Sequence, residues 1–156
     1  MIAVDTGFLF ALIDKSDAWH SRAVAALPTV EEGWITTWPV LTEATYLMTS
    51  HLGTHFAQKL LDEVADGGLL VWDIPAEHIG RIPAMMQRYA NLPMDLADAS
   101  LVLLAEHLGH GRILTTDERD FGAYRWKSRK PFQNLSACAH PHCHWSTPTT
   151  PCWCST

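Results

Sequence analysis

Short apolar runs alternate with longer segments of helical spacing along most of this chain, and that alternation restricts the fold more than any other feature. The runs cover residues 1–4, 34–36, 69–74 and 112–115. Each is too short for a stable helix, and a segment with a helix start signal follows each one. Strands separated by helices pair in parallel, with the helices as crossovers packed over the sheet. The sequence therefore predicts an α/β sandwich with a mostly parallel central sheet flanked by helices.

The helical segments carry recognisable punctuation. Thr6 can cap a helix over 7–13, and Ser16 or Asp17 a second one through Trp19, Ala23, Ala26 and Leu27. Thr37 precedes a helix over 38–52, with Pro39 in the first turn, where proline is tolerated. Gly53-Thr54 separates it from another helix that ends at Gly67-Gly68. The run 69–74 reads as a buried strand. Pro75 opens a helical region to about residue 90, bent near Pro83. A further helix over 96–108 stops at Gly109, a short helix starts at Asp117, and 124–127 reads as a last strand. No internal repeat is present.

The 156 residues suit one domain, and 47% apolar against 18% charged residues excludes a disordered chain. The apolar runs fall far short of the roughly 18 residues of a membrane span. No basic segment precedes the first of them, as a secretory leader would require, so a cytoplasmic protein is expected. Cysteine divides the chain: residues 1–135 contain none, while Cys138, Cys143, Cys152 and Cys154 all lie in the last 21 residues with His140, His142 and His144. That stretch has three prolines and no Asp, Glu, Lys or Arg. Residues 1–135 are therefore read as the folded unit and 136–156 as a disordered Cys/His/Pro-rich tail. A small zinc site there is the competing reading, but Cys-x4-Cys and Cys-x-Cys match no standard finger spacing.

The net charge of −6 argues against coating nucleic acid by bulk electrostatics. The cations are unevenly placed, however. Between Arg119 and Lys130 stand five of them (Arg119, Arg125, Lys127, Arg129, Lys130) against one anion, Asp120. This predicts a basic rim beside an acidic pocket, unless the run is merely a solvated face.

Four acids stand where an α/β sheet gathers its chemistry, beyond the carboxyl ends of strands or on the helices nearby. Asp5 ends the first strand, and with Thr6 beside it as the better cap its carboxylate lacks a structural reason. Glu43 sits in an apolar helical stripe, with Val40 at i−3 and Leu47 at i+4, where burial is costly unless it is paired. Its bland alternative is a stripe-edge side chain reaching solvent. Asp98 opens a nearly all-apolar helix, at the dipole end that favours an anion, while Asp95 reads as that helix's N-cap. Asp117 follows 112–116 and can equally be a helix cap, with Asp120 three residues on. Brought together, such acids repel each other unless a cation neutralises them. Oxygen ligands without His or Cys point to Mg²⁺ or Mn²⁺, able to polarise a phosphoryl oxygen and activate water.

The order of these motifs resembles a known family. A strand ending in Asp5-Thr6 comes first, then Thr42-Glu43-Ala44 on a helix, then Asp98-Ala99-Ser100-Leu101, then Leu114-Thr115-Thr116-Asp117 with Asp120-Phe121 behind it. This is similar to the PIN domain, in particular to VapC-type ribonuclease toxins of toxin–antitoxin pairs, over residues 1–135. The resemblance implies a PIN-like three-layer sandwich and a Mg²⁺- or Mn²⁺-dependent endoribonuclease that hydrolyses RNA phosphodiester bonds. It implies Asp5, Glu43, Asp98 and Asp117 as the catalytic acids. Asp5, Asp98 and Asp117 would hold metal, and Glu43 a second ion or the attacking water. Thr6 and Thr116 would supply hydroxyls at the site, and Arg119 and Arg125 would hold flanking phosphates. The tail has no counterpart in the family pattern.

A phosphoryl-aspartate enzyme of the haloacid dehalogenase type would need a second aspartate two residues after Asp5, and that position is Gly7. The remaining alternatives are a catalytically silent PIN-like module that binds RNA or protein, and a housekeeping RNA-processing nuclease. As partners the resemblance implies an RNA substrate, a cognate antitoxin and a second copy of the chain. The antitoxin would enter the acidic pocket with an arginine and seat a helix near residues 7–27 and 38–67. Trp19, Trp34, Trp38, Trp72 and Met85-Met86 offer apolar surface for a homodimer.

Overall fold

The computed structural model describes residues 1–138; the expected tail lies outside the described residues from residue 139 onward, but its first residues, Ser136–Cys138, form a 3-10 turn with Ser136 buried and bonded to Thr115, so the folded unit runs past residue 135. In chain order the elements are β1 (Ile2–Val4), α1 (Thr6–Ile13), α2 (His20–Ala26), β2 (Trp34–Thr37), α3 (Trp38–His51), α4 (Thr54–Ala65), β3 (Leu69–Trp72) and α5 (Ala76–Ile79). They continue with α6 (Ile82–Arg88), α7 (Leu96–Leu108), β4 (Arg112–Leu114), α8 (Glu118–Ala123), β5 (Arg125–Trp126), β6 (Lys130–Pro131) and β7 (Gln133–Asn134).

Five strands form one sheet in the order β3-β2-β1-β4-β7, and every pairing in it is parallel. The central strand is β1, where Ala3 registers with Ile35 on one side and Ile113 on the other. The chain builds outward from β1 through β2 to β3, then crosses back to lay β4 on the opposite side of β1. Strand order reverses between β1 and β4, which opens a crevice beyond their carboxyl ends. The α/β sandwich expected from the alternation of elements is therefore the observed fold.

The sheet and α7 share the core. Ile2, Val4, Ile113 and Leu114 are buried in the two central strands, and Phe8, Leu41 and Met48 are buried on α1 and α3. From Ala97 to Ala105 every residue of α7 is buried except Asp98, as for a helix enclosed on all sides. Among the described residues no helix is long and apolar enough to cross a membrane.

Several local expectations need correction. The run 69–74 was expected to be a buried strand, but β3 ends at Trp72 and Leu70 is 44% exposed, because β3 is an edge strand paired only with β2. The region 75–90 is two helices rather than one bent helix. Pro83 lies in the first turn of α6 and so starts a new helix instead of kinking an old one. Asp5, not Thr6, is the N-cap of α1. The second helix begins at His20, and Asp17 acts just upstream by accepting from the Trp19 amide at 2.7 Å. The predicted strand over 124–127 is present as β5, but it pairs with β6 in a separate antiparallel hairpin. Strands β6 and β7, two residues each, are too short to leave a periodic signature.

Candidate active site

Asp5 reaches the crevice because β1 runs straight into α1. Its amide donates to the Leu114 carbonyl at 3.0 Å, extending the β1–β4 pairing by one residue. The side chain is 8% exposed. Its Oδ1 accepts from the Thr6 amide at 2.7 Å and its Oδ2 from the Thr115 hydroxyl at 2.7 Å. Burial raises its pKa to about 6; the two hydrogen bonds oppose that rise, and the charges of Glu43 and Asp117 add to it.

Each of the other acids is tied to this point or to its rim. Glu43, half-buried on α3, accepts from the Thr6 hydroxyl at 2.7 Å through Oε2. Its carboxylate is therefore turned to Asp5's neighbour rather than left at a stripe edge. Asp98 lies at the third position of α7 and forms a reciprocal cap with Asp95: Asp95 Oδ1 accepts from the Asp98 amide at 2.9 Å, and Asp98 Oδ2 from the Asp95 amide at 3.3 Å. Burial raises the pKa of Asp98 to about 7, with further upward pushes from Asp95 and Asp5. Asp117 is the N-cap of α8, accepting from the Asp120 amide at 2.8 Å. Capping and proximity to Asp5 coexist in Asp117, so the two sequence readings of that residue do not compete.

The structure adds residues that the sequence reading missed. The hydroxyl bonded to Asp5 belongs to Thr115, not Thr116. Thr115 is fully buried, and its oxygen also accepts from the Asp117 amide at 2.9 Å. The Thr116 hydroxyl instead lies against Gly7, where a Cβ would collide with it; glycine lets the first turn of α1 approach the end of β4. Thr115 is braced in turn from β7: its carbonyl accepts from the Asn134 amide group at 3.0 Å and from the Ser136 hydroxyl at 2.6 Å. On the other side of the crevice the Tyr124 hydroxyl donates to Asp98 Oδ2 at 3.1 Å. The only sequence signal was that Thr115 falls in phase with buried Ile113.

Of the basic segment, Arg119 stays beside the acids, within reach of the Asp117 charge, while the cations past Arg125 do not. Arg119 donates through Nε to Asp120 at 2.7 Å. Arg125 gives Nη1 to the carbonyls of Gly122 and Tyr124, both at 2.7 Å. Beyond Arg125 the hairpin turns away. The Lys127 amide donates to Glu106 at 3.1 Å, and Trp126 packs against Gly111 before the amino end of β4. Glu106 is eight residues past Asp98 on α7, about 12 Å along the helix axis. Lys127, Arg129 and Lys130 thus sit toward the end of the sheet opposite the acids.

Among the described residues, no three His, Cys, Asp or Glu side chains form a group placed to hold a metal ion. A donor from the protein holds each acid instead: Thr6 and Thr115 on Asp5, Thr6 on Glu43, Tyr124 on Asp98 and the Asp120 amide on Asp117. The donor set still fits a hard divalent cation. It is all carboxylate, and neighbouring acids add to the burial that pushes up the pKa of Asp5 and of Asp98, a repulsion that a cation relieves.

Comparisons with known proteins agree with this fold. The family model described as PIN domain matches residues 2–127. A curated relative, Ribonuclease VapC26 of Mycobacterium tuberculosis (strain ATCC 25618 / H37Rv), is 26% identical over 122 residues, covering 78% of this chain and 90% of its own. A crystal structure of Mycobacterium tuberculosis VapC20, described as a Sarcin-Ricin loop cleaving toxin, superposes with a TM-score of 0.71 at 20% identity. That match covers 77% of this chain and 92% of the other, and it supports the fold.

Proposed function

The chain belongs to the PIN domain family, and from that premise we propose that it is a metal-dependent endoribonuclease, the toxin of a toxin–antitoxin pair. One observation carries the chemistry. Asp5 is buried at the strand switch point; Thr6 links it to Glu43, through its amide on Asp5 and its hydroxyl on Glu43, and the Thr115 hydroxyl links it to the backbone of Asp117. A carboxylate buried among other carboxylates is costly in a fold that needs no cation.

Asp5, Asp98 and Asp117 would hold Mg²⁺ or Mn²⁺, with Glu43 beside them. When bound, such an ion supplies charge neutralisation at phosphorus and at the leaving oxygen. The chain's own residues do the rest. Thr6 and Thr115 fix the rotamer of Asp5. Glu43 Oε2 accepts from Thr6, which orients its carboxylate to receive a proton from an attacking water. The Asp95–Asp98 cap holds Asp98 at the mouth of α7. Phosphates several nucleotides from the cut would meet Lys127, Arg129 and Lys130, while Arg119, 76% exposed and bonded to Asp120 through Nε alone, would meet one nearer the acids; Arg125 gives Nη1 to two carbonyls.

The proposed antitoxin has a matching surface. A cavity of about 730 Å³ lies between α1 and α4 toward the amino ends of β2 and β3. Leu9, Leu12, Ile13, Trp34, Phe56 and Leu60 line it, and Lys59, Asp62, Glu63 and Glu32, the last paired with Arg112, also border it. This surface suits an amphipathic helix with basic flanks. For a homodimer, exposed Trp38 and Tyr46 on α3 and Met86 on α6 offer apolar surface, whereas Trp19, Trp34, Trp72 and Met85 pack against the core.

The test is RNA cleavage by the purified full chain with Mg²⁺, with Mn²⁺ and with EDTA, alongside Asp98→Asn. Cleavage that needs the ion and is lost in Asp98→Asn supports the reading. Binding of RNA without cleavage in any of these would make the protein a silent PIN-like module. Expression of the active enzyme should slow growth, and co-expression of the adjacent gene product should restore it. Unaffected growth would leave a housekeeping nuclease.

A further inference from the structure

We propose that Tyr124 is a positioning residue of this centre: its hydroxyl selects which oxygen of Asp98 faces the divalent cation. The inference rests on the metal-dependent nuclease reading and deepens it. Tyr124 follows α8, and its residue as a whole is fully buried. Its ring packs edge-to-face on Tyr89 with centroids 4.9 Å apart and on Phe121 at 5.5 Å, and Phe121 packs in turn on Phe132 at 5.2 Å. A ring held on two sides in this way has little rotamer freedom. The backbone beside it is also fixed, because the Arg125 amide donates to the Tyr89 hydroxyl at 3.0 Å.

The Tyr124 hydroxyl is thus delivered by a rigid aromatic cluster to one acceptor, Asp98 Oδ2 at 3.1 Å. The Asp95 amide donates to that same oxygen at 3.3 Å. Both donors occupy Oδ2, which leaves Oδ1 as the coordinating oxygen. For the core alone a phenylalanine would fill this space and avoid burying a hydroxyl. The reciprocal cap alone would satisfy the start of α7. What the tyrosine adds is a second donor on a carboxylate that must keep one orientation, the role that hydrogen-bonded partners of metal ligands play.

The test is Mn²⁺ titration of the full chain, following the electron paramagnetic resonance of free Mn²⁺, with Tyr124→Phe and Phe132→Leu compared with the parent. Tyr124→Phe keeps the ring and should bind Mn²⁺ about 10-fold more weakly. Its RNA cleavage should need correspondingly more Mn²⁺ and recover as the ion saturates. Phe132→Leu disturbs the outer edge of the same cluster, which reaches Tyr124 only through Phe121, and should match the parent. Equal affinity of Tyr124→Phe and parent would overturn the proposal and leave the nuclease reading standing. Equal weakening by Phe132→Leu would also overturn it, since the effect would then be general loosening. A parent chain that binds no Mn²⁺ would overturn both.

Discussion

The hydroxyl of Thr115 donates to Oδ2 of Asp5 at 2.7 Å, joining two residues 110 apart in the chain at the ends of neighbouring strands. Because the same oxygen accepts from the Asp117 amide, one side chain sets the spacing of two acids. Thr115→Val keeps the shape and removes both interactions. RNA cleavage should fall about 10- to 100-fold, and stability should fall by about 1–3 kcal/mol from the polar groups left unpaired. Thr116→Val should be milder in both respects. Steady-state cleavage and urea unfolding of the two variants would check this, and equal losses would return the role to either threonine.

The raised acid pKa values make stability depend on pH in a definite direction. Asp5 and Asp98 titrate near 6 and near 7 in the folded chain, above the usual unfolded values near 4. Their contribution is therefore fully present below about pH 4 and is lost as pH rises through the folded values. His110, whose pKa is lowered by burial and then by Arg112, acts in the opposite sense. Comparing parent with Asp98→Asn removes that background. The metal-free variant should gain on the parent by about 1 kcal/mol between pH 5 and pH 8, after allowing for solvent screening. Thermal melts at the two pH values, with EDTA, measure it; no change in the difference would mean Asp98 carries no burial cost.

The placement of the cations separates binding from folding. Replacing Lys127, Arg129 and Lys130 together by Ala should raise KM and flatten the salt dependence of RNA binding, with kcat little changed. Arg125→Ala should instead lower stability by about 1 kcal/mol, since its guanidinium satisfies two carbonyls at the end of α8. Filter binding at several salt concentrations and denaturant midpoints would distinguish them. A larger loss of RNA affinity from Arg125→Ala than from the triple variant would contradict the assignment.

The end of the folded unit is testable to within three residues. A chain ending at residue 138 should fold and cleave RNA, since all four acids precede it. A chain ending at Leu135 loses Ser136, which is 1% exposed and bonded to the Thr115 carbonyl. It should melt several degrees lower and cleave less well. Identical melting of the two chains would show that Ser136 braces nothing, and zinc bound by the full chain would give the tail a structural role.

The sequence by itself determined the architecture and the acids. Alternating short apolar runs and helical segments admit little besides a parallel sheet with crossovers, because hydrophobic period and length are local properties. Asp5 after its strand and Asp98 at the head of an all-apolar helix could be picked out as misplaced charge for the same reason. The tertiary structure decided what those acids touch. That Asp117 caps α8 while lying near Asp5, that Thr115 rather than Thr116 bonds Asp5, and that Tyr124 reaches Asp98 all depend on the β1–β4 pairing and on how α8 and β7 close over it. The basic run shows the same limit from the other side. Its composition was plain, but β5 and β6 carry it along α7 away from the acids, and no local pattern records the direction in which a hairpin leaves a helix.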